Sequence, residues 1–192
     1  MKTLARSLIL ILPLSFASLS FAQQQTFTAD PAASGVAFAL SGTGHEVHGT
    51  FHVQSGTIQF DRTAPKMSGT IVVSAASGES GDKGRDKKMH GDVLDVEHFA
   101  DVTFAPQSYQ GTIAPSGDST IQVSGVFTLH GTPHDLTVPM QVHIEGTSLT
   151  AKGKFVIPYV KWGLKDPSVF ILKVAKEVQI DLSLGGTLTP AS

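Results

Sequence analysis

Apolar and polar residues alternate along most of this chain in runs of hairpin length. The cleanest run is Leu136, Val138, Met140, Val142 and Ile144, with Pro139 in the opposite phase. Ile121, Val123, Gly125, Phe127 and Leu129 repeat the pattern. So do Val36, Phe38 and Leu40 against Ala37 and Ala39, and Val47, Gly49, Phe51 and Val53 against Glu46, His48, Thr50 and His52. A period of two places the apolar set on one face of a strand and leaves the other face wet, so these stretches predict half-buried antiparallel strands. The small Ala37 and Ala39 suggest that something packs close to the outer face there. Further strand residues are expected at 26–30, at Ile58 and Phe60 following Gly56, and at 68–74, 102–111, 149–157 and 169–184, with turns at 31–34, 61–65, 114–118, 130–134 and 145–147. Pro139 has no N–H to donate, so the ladder should be irregular there.

The pattern stops at 75–84, a small, polar, Gly-rich surface connection. It leads into 85–104, where charges crowd the first half and apolar spacing changes from helical to alternating. Met89 and Val93 lie four apart, on one face of a short helix expected at 85–94. Gly91 costs that helix about 1 kcal/mol against Ala, so tertiary contacts must hold it. Residues 159–167 are too broken for a strand and contain Trp162, the only tryptophan. About eight antiparallel strands result, which fit a sandwich or a barrel. The barrel is preferred, because the first and last strands are apolar enough to pair and closure leaves no exposed edge.

The N-terminus changes the picture of where the chain works. Lys2 and Arg6 precede an apolar run that ends in Ser20-Phe21-Ala22, the pattern of a secretory signal peptide occupying 1–22. The run is too short for a membrane span and Pro13 interrupts it, so a periplasmic or secreted protein with a single domain at 23–192 is expected. Loss of the signal leaves 12 basic against 16 acidic residues, a balance that argues against nucleic acid. The chain has no cysteine, which removes disulfides, thiolate metal sites, Cys-attached haem and Cys nucleophiles together.

Candidate chemistry is sparse. On a strand, His48 and His52 share a face but stand about 13 Å apart, beyond the reach of two ligands on one zinc; His45 has the opposite parity. His130 and His134 flank a turn, where a pair without further ligands does not make a site. No nucleophile elbow, His-Glu-x-x-His, phosphate loop or dinucleotide motif is present. Asp92, Asp95, Glu97 and Asp101 lack calcium-loop spacing and read as a solvated face. Neither enzyme activity, nor a metal, nor a cofactor is expected. What remains is apolar: eleven Phe against two Tyr and one Trp. An eight-stranded barrel either fills with side chains or holds one small ligand. At about 0.8 kcal/mol per buried methylene, such a ligand needs roughly ten to fifteen carbons to offset the cost of association.

The pair Arg85-Asp86, the step from Asp95 to Phe99, Val102-Thr103-Phe104 and the run from Gly125 to Thr132 together resemble the YceI-like family of exported proteins over 26–185. The resemblance implies an extended lipocalin-like antiparallel barrel enclosing polyisoprenoid or other long-chain amphiphiles such as fatty-acid amides. It implies structural roles for Arg85, Asp86, Phe99, Phe104, Leu129, His130 and Gly131, and supplies no catalytic residue. The chain departs from the family pattern at 76–82 and at Ala100, both near the rim. The expected function is an exported carrier of a long-chain isoprenoid or fatty amphiphile, lined by Phe38, Leu40, Phe51, Ile71, Phe104, Met140, Phe155 and Phe170, with Trp162 near the mouth. The alternative is a non-enzymatic stress or interaction protein with a filled core that binds a protein partner or metal through its outer surface. The sequence leaves a homodimer open.

Overall fold

A computed structural model describes residues 24–171 and 173–190; the expected signal peptide and its cleavage site lie outside them. Nine strands follow in order: β1 (Gln24–Ala29), β2 (Gly35–Gly42), β3 (His45–Asp61), β4 (Met67–Ser74), β5 (Asp101–Gly111), β6 (Gly117–Leu129), β7 (Thr132–Glu145), β8 (Ser148–Ile157) and β9 (Val178–Pro190). β1 and β2 lie end to end between β3 and β9, each pairing with both. The break between them is a single turn at Pro31–Ala33, where the Asp30 carboxylate accepts from the Ala32 N–H at 2.9 Å. Nine strands therefore make eight staves of one closed antiparallel barrel, from β3 through β4 to β9 and back. Closure pairs both sides of the sheet, which removes the edges that a chain without disulfides would otherwise expose.

Side-chain phase follows the expected alternation. Ile121, Val123, Phe127 and Leu129 on β6, and Val138, Met140, Val142 and Ile144 on β7, are all buried. β3 runs unbroken through Gly56, and one extra residue between Val53 and Ser55 bulges the ladder. The inward set then switches from odd numbers, ending at Val53, to even numbers at Gly56, Ile58 and Phe60, as a bulge requires. Nothing packs over Ala37, which is exposed. The last strand begins at Val178, not at 169, because 169–171 and 173–177 lie outside it in the loop; it runs on to Pro190 to pair with β1.

At Pro139 the ladder does part. β7 pairs with β8 only from Met140 to Glu145, so 132–139 keeps β6 as its sole strand neighbour. The β6–β7 turn is His130-Gly131, both at positive φ (51° and 71°), the backbone that a two-residue hairpin needs and that Gly adopts without strain. The barrel's two ends are unlike. One carries short turns at 62–66, 112–116 and 146–147; the other carries the long connections 75–100 and 158–177.

Candidate functional site

The helix in the first long connection begins two residues before the expected start. α1 (Lys83–Lys88) is capped by Asp82, whose carboxylate accepts from the Arg85 N–H at 2.8 Å. That hydrogen bond holds the Asp82 carboxyl below its ordinary range. A wider turn at Met89–Val93 extends the helix, with the Leu94 N–H donating to the Met89 carbonyl at 2.9 Å.

Arg85 and Asp86 do not pair with each other; both grip Ser80. The Arg85 guanidinium donates to the Ser80 hydroxyl and carbonyl oxygens, each at 2.7 Å. Asp86 accepts from the Ser80 N–H at 2.9 Å and from its hydroxyl. His90 Nε2 donates to the Gly78 carbonyl at 2.8 Å. Any side chain at Gly78 would collide with the Phe51 ring and the Met89 methyl, so this glycine lets the helix seat closely. Residue 79 exchanges two backbone hydrogen bonds with Thr50 (2.8 and 3.0 Å), on the edge of β3 that β4 does not reach. The connection at 75–84 is thus partly built into the wall, with Ala75 buried, and is not only a surface link.

Across the mouth, 158–177 covers the stretch where β7 and β8 part. The Trp162 ring stacks on His134 at 4.0 Å between centroids and lies 5.8 Å from Phe127. Tyr159 is buried and its hydroxyl donates to the Ala175 carbonyl at 2.6 Å; burial first, then the Asp166 charge, pushes that phenol up to about 12. Lys165 reaches Asp92 at 3.7 Å, linking the two long connections.

Between these elements lies a cavity of about 680 Å³ that runs down the barrel axis. Its walls are aliphatic and aromatic, from Phe27, Phe60 and Ile113 at the short-turn end to Leu40, Val47 and Leu94 at the other. Ser80, Asp82, Arg85, Lys88, Thr103 and Tyr159 are its polar lining residues, all at the end that carries α1. The volume is within the range of small-molecule sites, roughly 300–1,000 Å³. The interior is a chamber, not a filled core.

Of the residues expected to line it, Phe38, Leu40, Phe51, Ile71, Phe104, Met140 and Phe155 are on the wall. Trp162, expected near the mouth, lies in the long connection at that end but not on the wall; its ring stacks on His134, where the loop patches the β7–β8 gap. Phe170 points to solvent, 95% exposed, because 169–171 is loop and not strand. Met89 and Val93, on the helical segment, also line the chamber, whereas Phe99 lies outside it, 4.1 Å from the His130 ring and over Gly131. Sequence reasoning missed Ile180, Leu182 and Leu184 on β9, although their even-numbered alternation was there to find. It also missed the polar rim, since Ser80 and Asp82 come from a segment without periodicity. Among the described residues no cluster of His, Cys, Asp and Glu could hold a metal.

Fold and chamber together define a lipocalin-like barrel, a closed antiparallel sheet around an apolar space whose polar lining gathers at one end. The YceI-like domain matches residues 27–185, and the chain belongs to that family. It is 30% identical over 148 residues to a UPF0312 protein of Pseudomonas fluorescens, covering 73% of each chain. Its fold is similar to that of BcnA from Burkholderia cenocepacia (TM-score 0.67, 27% identity, 83% of this chain and 99% of that one). It is also similar in fold to a polyisoprenoid binding domain from Saccharophagus degradans (TM-score 0.63, 17% identity, 85% and 98%).

Proposed function

We propose that this protein is an exported, non-enzymatic carrier that encloses the tail of one long-chain isoprenoid or fatty amphiphile. The observation that carries this reading is the polarity of the chamber: apolar along its length, with charged and hydroxyl groups at one end only. An amphiphile fits that gradient with its tail toward Phe60 and Ile113 and its head beside Arg85 and Lys88. The neighbour from Saccharophagus degradans, described as polyisoprenoid binding, supports the same ligand class. The signal-peptide pattern at 1–22 supports a periplasmic or secreted location. A filled-core interaction protein is disfavoured, because roughly 680 Å³ of apolar space would then be left empty, and apolar voids cost stability.

The test pairs native mass spectrometry of freshly purified protein with a chamber-filling variant. Wild type should carry a co-purified lipid and take up long-chain fatty probes, with affinity fading below about ten carbons. Met140→Trp should lose that uptake with little change in melting temperature, because the added volume enters existing space. Sustained absence of any bound lipid, with Met140→Trp destabilised by the about 1–3 kcal/mol typical of overpacking, would overturn the proposal.

A further inference from the structure

The loop tip at Val169, Phe170 and Ile171 is 53%, 95% and 78% exposed; apart from these three, Val156 is the one large apolar side chain strongly exposed among the described residues. The tip is held outward by a pinched neck. The Val174 N–H donates to the Ser168 hydroxyl at 3.0 Å, and the Ser168 N–H donates to the Asp166 carboxylate at 2.9 Å. Just beyond, the Lys173 N–H donates to the Thr43 hydroxyl at 2.9 Å, and the Thr43 N–H donates to the Lys173 carbonyl at the same distance, tying the loop's base to the β2–β3 turn. Val169 and Val174 also line the chamber, so the exposed apolar tip is continuous with the mouth.

The charges around it are mostly basic. Residues 161–176 carry Lys161, Lys165, Lys173 and Lys176 against Asp166 alone, and α1 across the mouth carries Lys83, Arg85, Lys87 and Lys88 against Asp86 alone, in a chain with 16 acidic and 14 basic residues. Asp82 and Asp92 border α1, but one caps the helix and the other faces Lys165; Glu177 borders the loop. Lys83, Lys87, Lys88, Lys161, Lys173 and Lys176 are exposed. An apolar tip flanked by exposed lysines suits a surface that is negative outside and apolar beneath, in which each basic side chain near the interface adds to the attraction.

We propose that this tip docks the mouth of the barrel onto an anionic phospholipid bilayer, with Phe170 and Ile171 inserted below the headgroups and the flanking lysines on the lipid phosphates. This rests on the carrier reading for its purpose, since a docked mouth would let an amphiphile pass between bilayer and chamber without crossing water. Its test does not. The protein is sedimented with vesicles of phosphatidylcholine, with and without phosphatidylglycerol, in the absence of added ligand. Wild type should bind the anionic vesicles, weakly the neutral ones, and less as salt rises. The double substitution Phe170→Ser with Ile171→Ser should weaken binding by about tenfold or more at unchanged melting temperature. Lys173→Glu with Lys176→Glu should abolish the preference for phosphatidylglycerol. Met140→Trp, with the tip intact, should bind vesicles as wild type does, so a failure of the carrier reading leaves docking standing. Equal binding by wild type and the Phe170/Ile171 variant would overturn the proposal. So would a wild-type dimer that buries Phe170, ignores vesicles and dissociates on that substitution.

Discussion

The two ends of this barrel are built from the same strands and close in opposite ways. At the short-turn end the chain reverses within a few residues, and side chains finish the seal: Ile113 is buried, and the Tyr109 hydroxyl donates to the Asp61 carbonyl at 2.8 Å. At the other end two connections of more than fifteen residues each arch over the mouth, linked by the Lys165–Asp92 contact and by apolar packing. Short turns leave no room for anything but packing, whereas long loops are where binding groups and mobility concentrate. The charged and hydroxyl lining groups follow the long connections. Stability should therefore reside at one end and ligand handling at the other.

The largest test of that division uses two aliphatic truncations. Ile144 lies near the short-turn end, 2% exposed and away from the chamber. Ile144→Ala should cost about 2–5 kcal/mol, transfer and new void together, visible as a fall in denaturation midpoint with ligand uptake per folded molecule unchanged. Leu40 faces the chamber at the other end, so Leu40→Ala enlarges a space that already exists and should cost under about 2 kcal/mol while shifting ligand-length preference. Equal costs would dissolve the distinction between the ends.

The same asymmetry separates what the residues announced from what they hid. β6 and β7 were legible because Ile121 to Leu129 and Leu136 to Ile144 alternate without interruption, and one buried face fixes their register. The switch of phase in β3 was not, since a bulge between Val53 and Ser55 leaves each half of the strand in alternation and hides the extra residue. Pro139 did mark where β7 and β8 part. Seven wall residues followed from inward phase alone. Phe170 misled because its apolar character was read as burial, and nothing local distinguishes an apolar residue inside a wall from one on a loop that the neck at Ser168 and Val174 holds outward; Trp162 was placed near the mouth, but its stacking partner His134 was not legible. The grip of Arg85 and Asp86 on Ser80 joins residues five and six apart, yet needed the fold of 78–82 to be seen.

Each end also holds one of the chain's two tyrosines, and both donate to a backbone carbonyl. Burial is the main cause of the upward shift in both; at Tyr109 the Asp61 charge adds to it and Arg62 opposes it. A raised phenol favours the folded state below the unfolded value of 10.0, and that contribution is lost as pH rises through the folded value, about 12 for Tyr159. In a Tyr109→Phe background, tyrosinate absorbance from Tyr159 should thus stay low in the native protein near pH 11 and appear together with unfolding. Substitution to Phe leaves a carbonyl without its donor at a cost of about 1–2 kcal/mol. Tyr109→Phe should lower the global midpoint, whereas Tyr159→Phe should chiefly speed hydrogen exchange across 158–177 and ligand release. Early titration of Tyr159, with 158–177 as protected as before, would show that the loop does not depend on this bond.

The smallest effect concerns the helix at the mouth. The Arg85 N–H that holds the Asp82 carboxyl below its ordinary value of 3.8 also satisfies one of the free donors of α1's first turn. A lowered carboxyl stabilises above its unfolded value and ceases to do so as pH falls through the folded one, so α1 should loosen only below about pH 4. Asp82→Asn keeps an oxygen that can accept from Arg85 and removes the charge, so it should retain most of the cap and lose the acid dependence. Asp82→Ala loses both. Amide exchange at Arg85 and Asp86, corrected for intrinsic rates, should rise a few-fold in the Ala variant and less in the Asn variant, at an unchanged global midpoint. Six residues of helix contribute few buried contacts, so their fraying leaves the barrel intact. A fall in midpoint matching that of Ile144→Ala would mean that the helix is part of the barrel's cooperative core, and the mouth could not open without unfolding the whole.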